Sequence, residues 1–262
     1  MHSSLTVRKP RPSRAFRMPL RLLKGLLLVV AASGASAQQV PGCGNLENAF
    51  GPFDYRPDTY VYETTYGSHK ALVNIVERAH YTIETEMLVS RKTGLVVSPG
   101  ADLSYTLRVF PNHHKALMTL IALSEKEKTD KPRDSIYTVD CWLKRAVAWK
   151  ANDNVSKMIY AKYLDKTNRR SEAEAQLEAA ARQAGDNVFT HHNLGLVYFD
   201  MKMYDKALLH ANKTYSLGMT IPTLKDQLKS VNKWVESPDA TVAEPAAGAN
   251  KGEPGAAAPQ TR

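Results

Sequence analysis

Cysteine is nearly absent from this chain of 262 residues, which carries only Cys43 and Cys141. That excludes a disulfide-dense mini-fold and any centre built on four thiolates. Long apolar runs are missing too: the longest, residues 26–32, is far short of the roughly 20 residues that span a bilayer. The chain has no glycine-rich phosphate loop, no dinucleotide fingerprint and no nucleophile elbow, which removes the motif-based case for an enzyme.

Acidic residues are lacking from the first 37 positions, which hold seven Lys and Arg. The whole chain has 35 basic and 26 acidic residues, a net charge of +9; without that segment the balance is 28 to 26, or +2. The basic excess therefore belongs to the N-terminus, and the case for a nucleic-acid partner falls with it. Arg21 and Lys24 precede the apolar run 26–32, and Ala35-Ser36-Ala37 supplies the small-residue pattern of a cleavage site. Residues 1–37 thus read as a secretory signal peptide cleaved before Gln38, with Met18 an alternative start. The expected location is periplasmic or secreted, with no stable membrane insertion after cleavage. In an oxidising compartment the two cysteines allow one intramolecular bond, and a Cys43–Cys141 disulfide is the favoured reading. Two unrelated buried thiols and a lipidated Cys43 are the alternatives.

Two copies of a pattern recur at 34 residues. Tyr160-Ala161 and Leu164, then Ala173, Leu177 and Ala180, are followed by Leu194-Gly195 and Tyr198, then Ala207 and Ala211. Small residues at Ala161, Gly195, Ala173 and Ala207 let helices approach closely, while the large ones fill the space between. Leu143 and Ala146 lie 34 residues before Leu177 and Ala180 and mark a degenerate earlier copy. These slots resemble the tetratricopeptide repeat over about 40% of the chain, in the period that repeat shows. The chain is also similar to small exported bacterial proteins that carry segments like 51–56 and 105–114 ahead of such repeats, a group with no established activity. The resemblance implies an all-α fold: a helical-repeat solenoid of three repeats plus a capping helix, behind a mixed helical and extended N-terminal capping segment. Some members clamp a carboxylate with Lys and Asn on first helices; here those positions hold Met158, Lys162, His192 and Leu196, and that ligand does not carry over.

The expected organisation is a signal peptide at 1–37, an N-terminal arm and capping segment at 38–111, the repeats and cap at 112–236, and a tail at 237–262 whose Ala, Pro and Gly content cannot form a core. Aromatic residues at 50, 53, 55, 60, 62 and 66 predict an ordered, extended arm. Leu72, Ile75 and Val76 predict one helix from Ser68, and Ile83, Met87 and Leu88 a second after Thr82. Residues 95–97 read as extended, and a short helical stretch from Asp102 stops at Pro111. Asn112 is the expected cap of the next helix, 137–150 another, Ser171 with Glu174 a capping box, and 224–234 the terminal helix.

The expected activity is non-catalytic: a scaffold or adaptor of cell-envelope assembly or secretion that binds a protein or peptide of the envelope, with no cofactor. An accessory subunit of an envelope enzyme or transporter is the alternative. The predicted partner surface is the concave face, Met158, Lys162, Asp165, Phe189, His192, Leu196, Phe199 and Asp200. Tyr105 and Arg108 mark a second surface in the segment 102–114. A metal reading would use His80 and His113 with Asp102; the adjacent pairs His113-His114 and His191-His192 point about 100° apart on a helix and cannot chelate as doublets. Lys92-Thr93-Gly94 and Ser230-Val231-Asn232-Lys233 match strings of penicillin-binding enzymes, in reversed order and without a surrounding sheet, so that chemistry is rejected.

Overall fold

A computed structural model describes residues 39–57, 63–64 and 67–236. The signal peptide and tail expected at 1–37 and 237–262, and the arm aromatics at 60, 62 and 66, lie outside them. The described chain is mostly helical, with ten helices and two small hairpins. The strands β1 (Glu63–Thr64) and β2 (Gly67–Ser68) pair antiparallel, as do β3 (Arg91–Thr93) and β4 (Leu95–Val97). None of the described helices is long and apolar enough to cross a membrane.

Side-chain caps start most of the helices. Ser68 accepts from the Ala71 N–H at the head of α1 (His69–His80). Thr82 precedes a single turn, α2 (Ile83–Glu86). Ser98 accepts from Ala101 N–H and Pro99 opens α3 (Pro99–Val109), where its missing N–H costs nothing. Thr138 caps α5 (Val139–Trp149), Asp153 caps α6 (Asn154–Lys166) and Asn187 caps α8 (Val188–Asp200).

Three local expectations need correction. The cap of α4 (His114–Glu127) is His113, whose Nδ1 accepts from Ala116 N–H at 3.1 Å. Asn112 is instead buried in a polar network of its own. At α7 (Arg170–Gln183) no capping box forms: Arg169 occupies the cap position, Ser171 is exposed, and the Arg169 guanidinium binds Glu172 and Asp140. The terminal helix α10 is Thr223–Ser230, shorter than its apolar pattern suggested. Ile75, Ile83 and Met87, part of the apolar period that predicts these helices, are all more than half exposed.

One hydrophobic core runs from Leu103 and Leu107 to Leu224 and Leu228. Within it α6 packs along α7 and α8 along α9 (Tyr204–Ser216). Asn154 and Val188 begin α6 and α8, and Arg170 and Tyr204 begin α7 and α9, so both offsets are 34 residues. Helix α4 also packs on α6, α6 on α8, and α8 on α10. The small residues sit at these contacts: Ala161, Ala173, Ala180, Ala207 and Ala211 are wholly buried. Gly195 is where α10 comes closest, for a Cβ there would lie 2.3 Å from Leu224 Cδ2.

The N-terminal segment has its own apolar cluster, Leu72, Val73 and Val76 of α1 with Val109 and Phe110, flanked by Phe53, Tyr55 and Tyr105. At roughly 1.5–3 kcal/mol for each buried aliphatic or aromatic side chain, this cluster is enough to hold α1 on α3. Cys43 and Cys141 form a disulfide across 98 positions, fastening residues 39–57 to α5. Of the alternatives for Cys43 and Cys141, free buried thiols are excluded.

Candidate functional site

The predicted concave residues range from buried to exposed. Met158 and His192 are buried, 5% and 9% exposed, and Met158 belongs to the main core. Leu196 and Phe199 are half-buried against the same core. Lys162 and Asp200 are exposed and joined to each other at 2.8 Å across α6 and α8. Asp165 turns to Arg170 at 3.0 Å, and Phe189 stands free at 66% exposure.

Beside Lys162 opens a groove of about 220 Å³ between α4 and α6. Its apolar lining is Met118, Ile121, Ile159 and Tyr163, with Lys162, Lys166 and Glu125 at the rim. Lys166 pairs with Glu125 across it. Such exposed ion pairs contribute about 0–1 kcal/mol, so an incoming charged group can replace either partner at little cost. Sequence reasoning reached only Lys162 of this set. The available signal was the apolar face of α4, where Leu117, Leu120 and Leu123 fill the core, Ile121 packs half-buried against it and Met118 stands 51% exposed.

The metal reading divides as well. His80 Nδ1 lies 2.9 Å from Asp102, a carboxylate only 2% exposed that Arg91 also grips at 3.0 Å. A carboxylate has no proton to give, so Nδ1 carries a proton, and in the neutral ring Nε2 keeps its lone pair. His113 is used up: its Nδ1 accepts the Ala116 N–H, so its proton is on Nε2 and is donated to Glu77 at 3.1 Å. That contact is a neutral ring on a carboxylate, not an ion pair. Burial pushes the His113 ring down, against the pull of Glu77, and the His113 hydrogen bond holds Glu77 below the usual carboxylate range. Of the three candidate ligands His80 meets Asp102, while His113 is turned to Glu77. Among the described residues no group of three or more His, Cys, Asp or Glu could hold a metal ion.

Sequence reasoning missed the polar network under the arm. Asn112 donates through Nδ2 to both Asp54 at 2.8 Å and Asp153 at 2.9 Å, and accepts from the Tyr55 N–H. Arg56 pairs with Asp54, and His114 Nε2 lies 2.8 Å from Asp153. Burial raises the Asp153 carboxyl, but hydrogen bonds from His114, Asn112 and the Ser156 N–H outweigh it and bring it to about 2. The network joins arm, α4 and α6, and its polar groups are turned onto one another.

The other predicted pair, Tyr105 and Arg108, flanks a crevice between α1 and α3. Phe50 from the arm lies 5.4 Å from the Tyr105 ring, and the Arg108 guanidinium lies 5.4 Å from the Phe50 ring. Comparison with protein-family models, curated proteins and solved structures finds no match to this chain.

Proposed function

We propose that the chain is an exported, non-catalytic helical-repeat scaffold of the tetratricopeptide type that holds a segment of another protein against α4, α6 and α8. The groove beside Lys162 carries this reading: an apolar floor with replaceable ion pairs at its rim suits a peptide with an apolar anchor and mixed charge. The 34-residue offsets and buried small residues support stacking of like units, and α10 would be the cap that such an array needs. The Cys43–Cys141 disulfide supports an oxidising compartment, in keeping with the signal-like segment at 1–37. A role in cell-envelope assembly or secretion is the reading that such a location would suit.

The test is capture of envelope proteins on the purified chain, followed by cross-linking and peptide mapping. Met118→Glu and Lys162→Glu alter exposed positions and should leave the melting temperature unchanged. Each should weaken capture about tenfold or more, the scale of an interface anchor. Full capture by both variants, or cross-links only outside α4, α6 and α8, would overturn the groove as the binding face.

A further inference from the structure

The crevice between α1 and α3 has the chemistry of a second, separate site. The two helices run antiparallel: His80 at the end of α1 meets Asp102 at the start of α3, while Leu72 clusters with Val109 at the other end. Between them lies a space of about 180 Å³. Leu72, Val76 and Val109 form its buried floor, and Phe50, Ile75 and Tyr105 its more open walls. The His80 and Tyr105 rings stack at 3.8 Å, so His80, Tyr105, Phe50 and Arg108 form one continuous row.

Three polar groups on this row have no hydrogen-bond or ion-pair partner among the described residues: the Arg108 guanidinium, the Tyr105 hydroxyl and Nε2 of His80. Asp102 fixes the His80 tautomer, so Nε2 is presented as an acceptor. Phe50 supports the Arg108 guanidinium from below and leaves its five N–H donors available, the geometry that suits bidentate binding of a carboxylate. The eight residues from Asp102 to Val109 span about 10 Å of helix, the length of about three extended residues. The apolar space itself matches one side chain, for a cavity of about 150 Å³ already holds benzene.

We infer that this crevice binds an extended segment of a partner polypeptide in which one large apolar residue stands within a few positions of an acidic one. The apolar side chain fills the space walled by Phe50, Ile75 and Tyr105. The carboxylate pairs with Arg108, and a backbone N–H of the segment donates to His80 Nε2. A small apolar acid would satisfy only the Arg108 end, which is why a polypeptide fits better. The site is independent of the groove between α4 and α6.

The test uses an array of end-blocked nonapeptides in a Gly-Ser background, each with one Leu, Ile, Phe or Tyr and one Glu or Asp one to three positions away. The tightest is then measured by fluorescence anisotropy against the full chain. Replacing its acid by the amide should weaken binding about tenfold or more, as should Arg108→Gln in the protein. Ile75→Glu should do the same and changes a residue 56% exposed, so it keeps the test alive if Arg108→Gln misfolds. Met118→Glu should have no effect. No binding anywhere on the array, affinity indifferent to Arg108→Gln and Ile75→Glu, or competition by 4-phenylbutyrate at equal affinity would each overturn the proposal.

Discussion

The guanidinium of Arg145 donates to the carbonyl oxygen of Cys43 at 2.9 Å, although 102 positions separate them. The same nitrogen donates to the Asn45 carbonyl at 2.8 Å, and the guanidinium lies over the Tyr137 and Trp142 rings. Arg145 is 1% exposed. Carbonyl dipoles and ring faces therefore hold a buried cation, and the arm supplies the carbonyls. The disulfide and this arginine fasten the same loop, one covalently and one by charge-assisted hydrogen bonds.

Removing the disulfide tests how far the arm depends on it. Closing a loop of 98 positions corresponds to about 4–5 kcal/mol on the chain-entropy account. The double variant Cys43→Ser, Cys141→Ser should lose stability of that order in urea denaturation. Hydrogen exchange should quicken more at residues 40–51 than in α8 and α9, which feel only the global loss. Equal quickening throughout would show that the bond stabilises the whole chain rather than pinning the arm.

The double donation by Asn112 makes a sharper case. Asn112→Asp would set a third carboxylate against Asp54 and Asp153 and remove both donors. At pH 7 the expected loss is about 3–5 kcal/mol relative to wild type, the cost of an uncompensated buried charge. Two carboxylate neighbours raise the pKa of the new group, so its folded form gains as pH falls through that value. The deficit against wild type should therefore shrink between pH 7 and pH 5, whereas that of Asn112→Ala should not. Parallel deficits for the two variants would refute the charge argument.

The helices were legible in the sequence because their apolar period and small-residue slots follow from short-range geometry. Ala161, Ala173, Ala207 and Gly195 were read as points of close approach, and all four are buried. The errors arose where two polar residues competed for one role. Asn112 is a better cap than His113 by propensity, but its amide is drawn to Asp54 and Asp153, groups supplied from 58 and 41 positions away. Ser171 with Glu174 has the spacing of a capping box, yet the Arg169 pairing with Asp140 sets where α7 begins. The burial of Met158 and His192 on the concave face was not legible for a different reason. Period identifies which residues share a helix face, not how far a neighbouring helix covers it, so Met158 and His192 were read as surface and Met118 was passed over.

Gly195 offers a direct test of helix approach. A Cβ at that position would fall 2.3 Å from Leu224 Cδ2, and Leu224 is wholly buried with little room to turn. Gly195→Ala should cost about 1–3 kcal/mol, the usual range for overpacking, despite the better helix propensity of alanine. In the Gly195→Ala background, Leu224→Ala should cost less than it does in wild type. Strict additivity in the double-mutant cycle would mean that α10 does not depend on the glycine.

The pair His191 and His210 predicts a defined pH response. His191 Nε2 lies 2.9 Å from the Gly185 carbonyl and donates to it; with both rings neutral, His191 Nδ1 then accepts the Nδ1–H of His210, also at 2.9 Å. Burial first, then the neighbouring His191, push His210 down to about 4 from an ordinary 6.5. Between those values the unfolded chain binds the proton and the folded chain does not, so stability rises with pH across the window and is lost as pH falls from about 6.5 towards 4. Going from pH 7 to pH 4.5 should remove on the order of 2–3 kcal/mol through this ring. His113, also lowered by burial, adds a loss of the same sign, and Asp153 at about 2 titrates below the window. The readout is therefore the difference between wild type and His210→Gln in urea denaturation at several pH values. That difference should narrow by about 2 kcal/mol as pH falls to 4.5, because the variant has no ring to protonate. A constant difference would show that His210 is not held neutral by the fold.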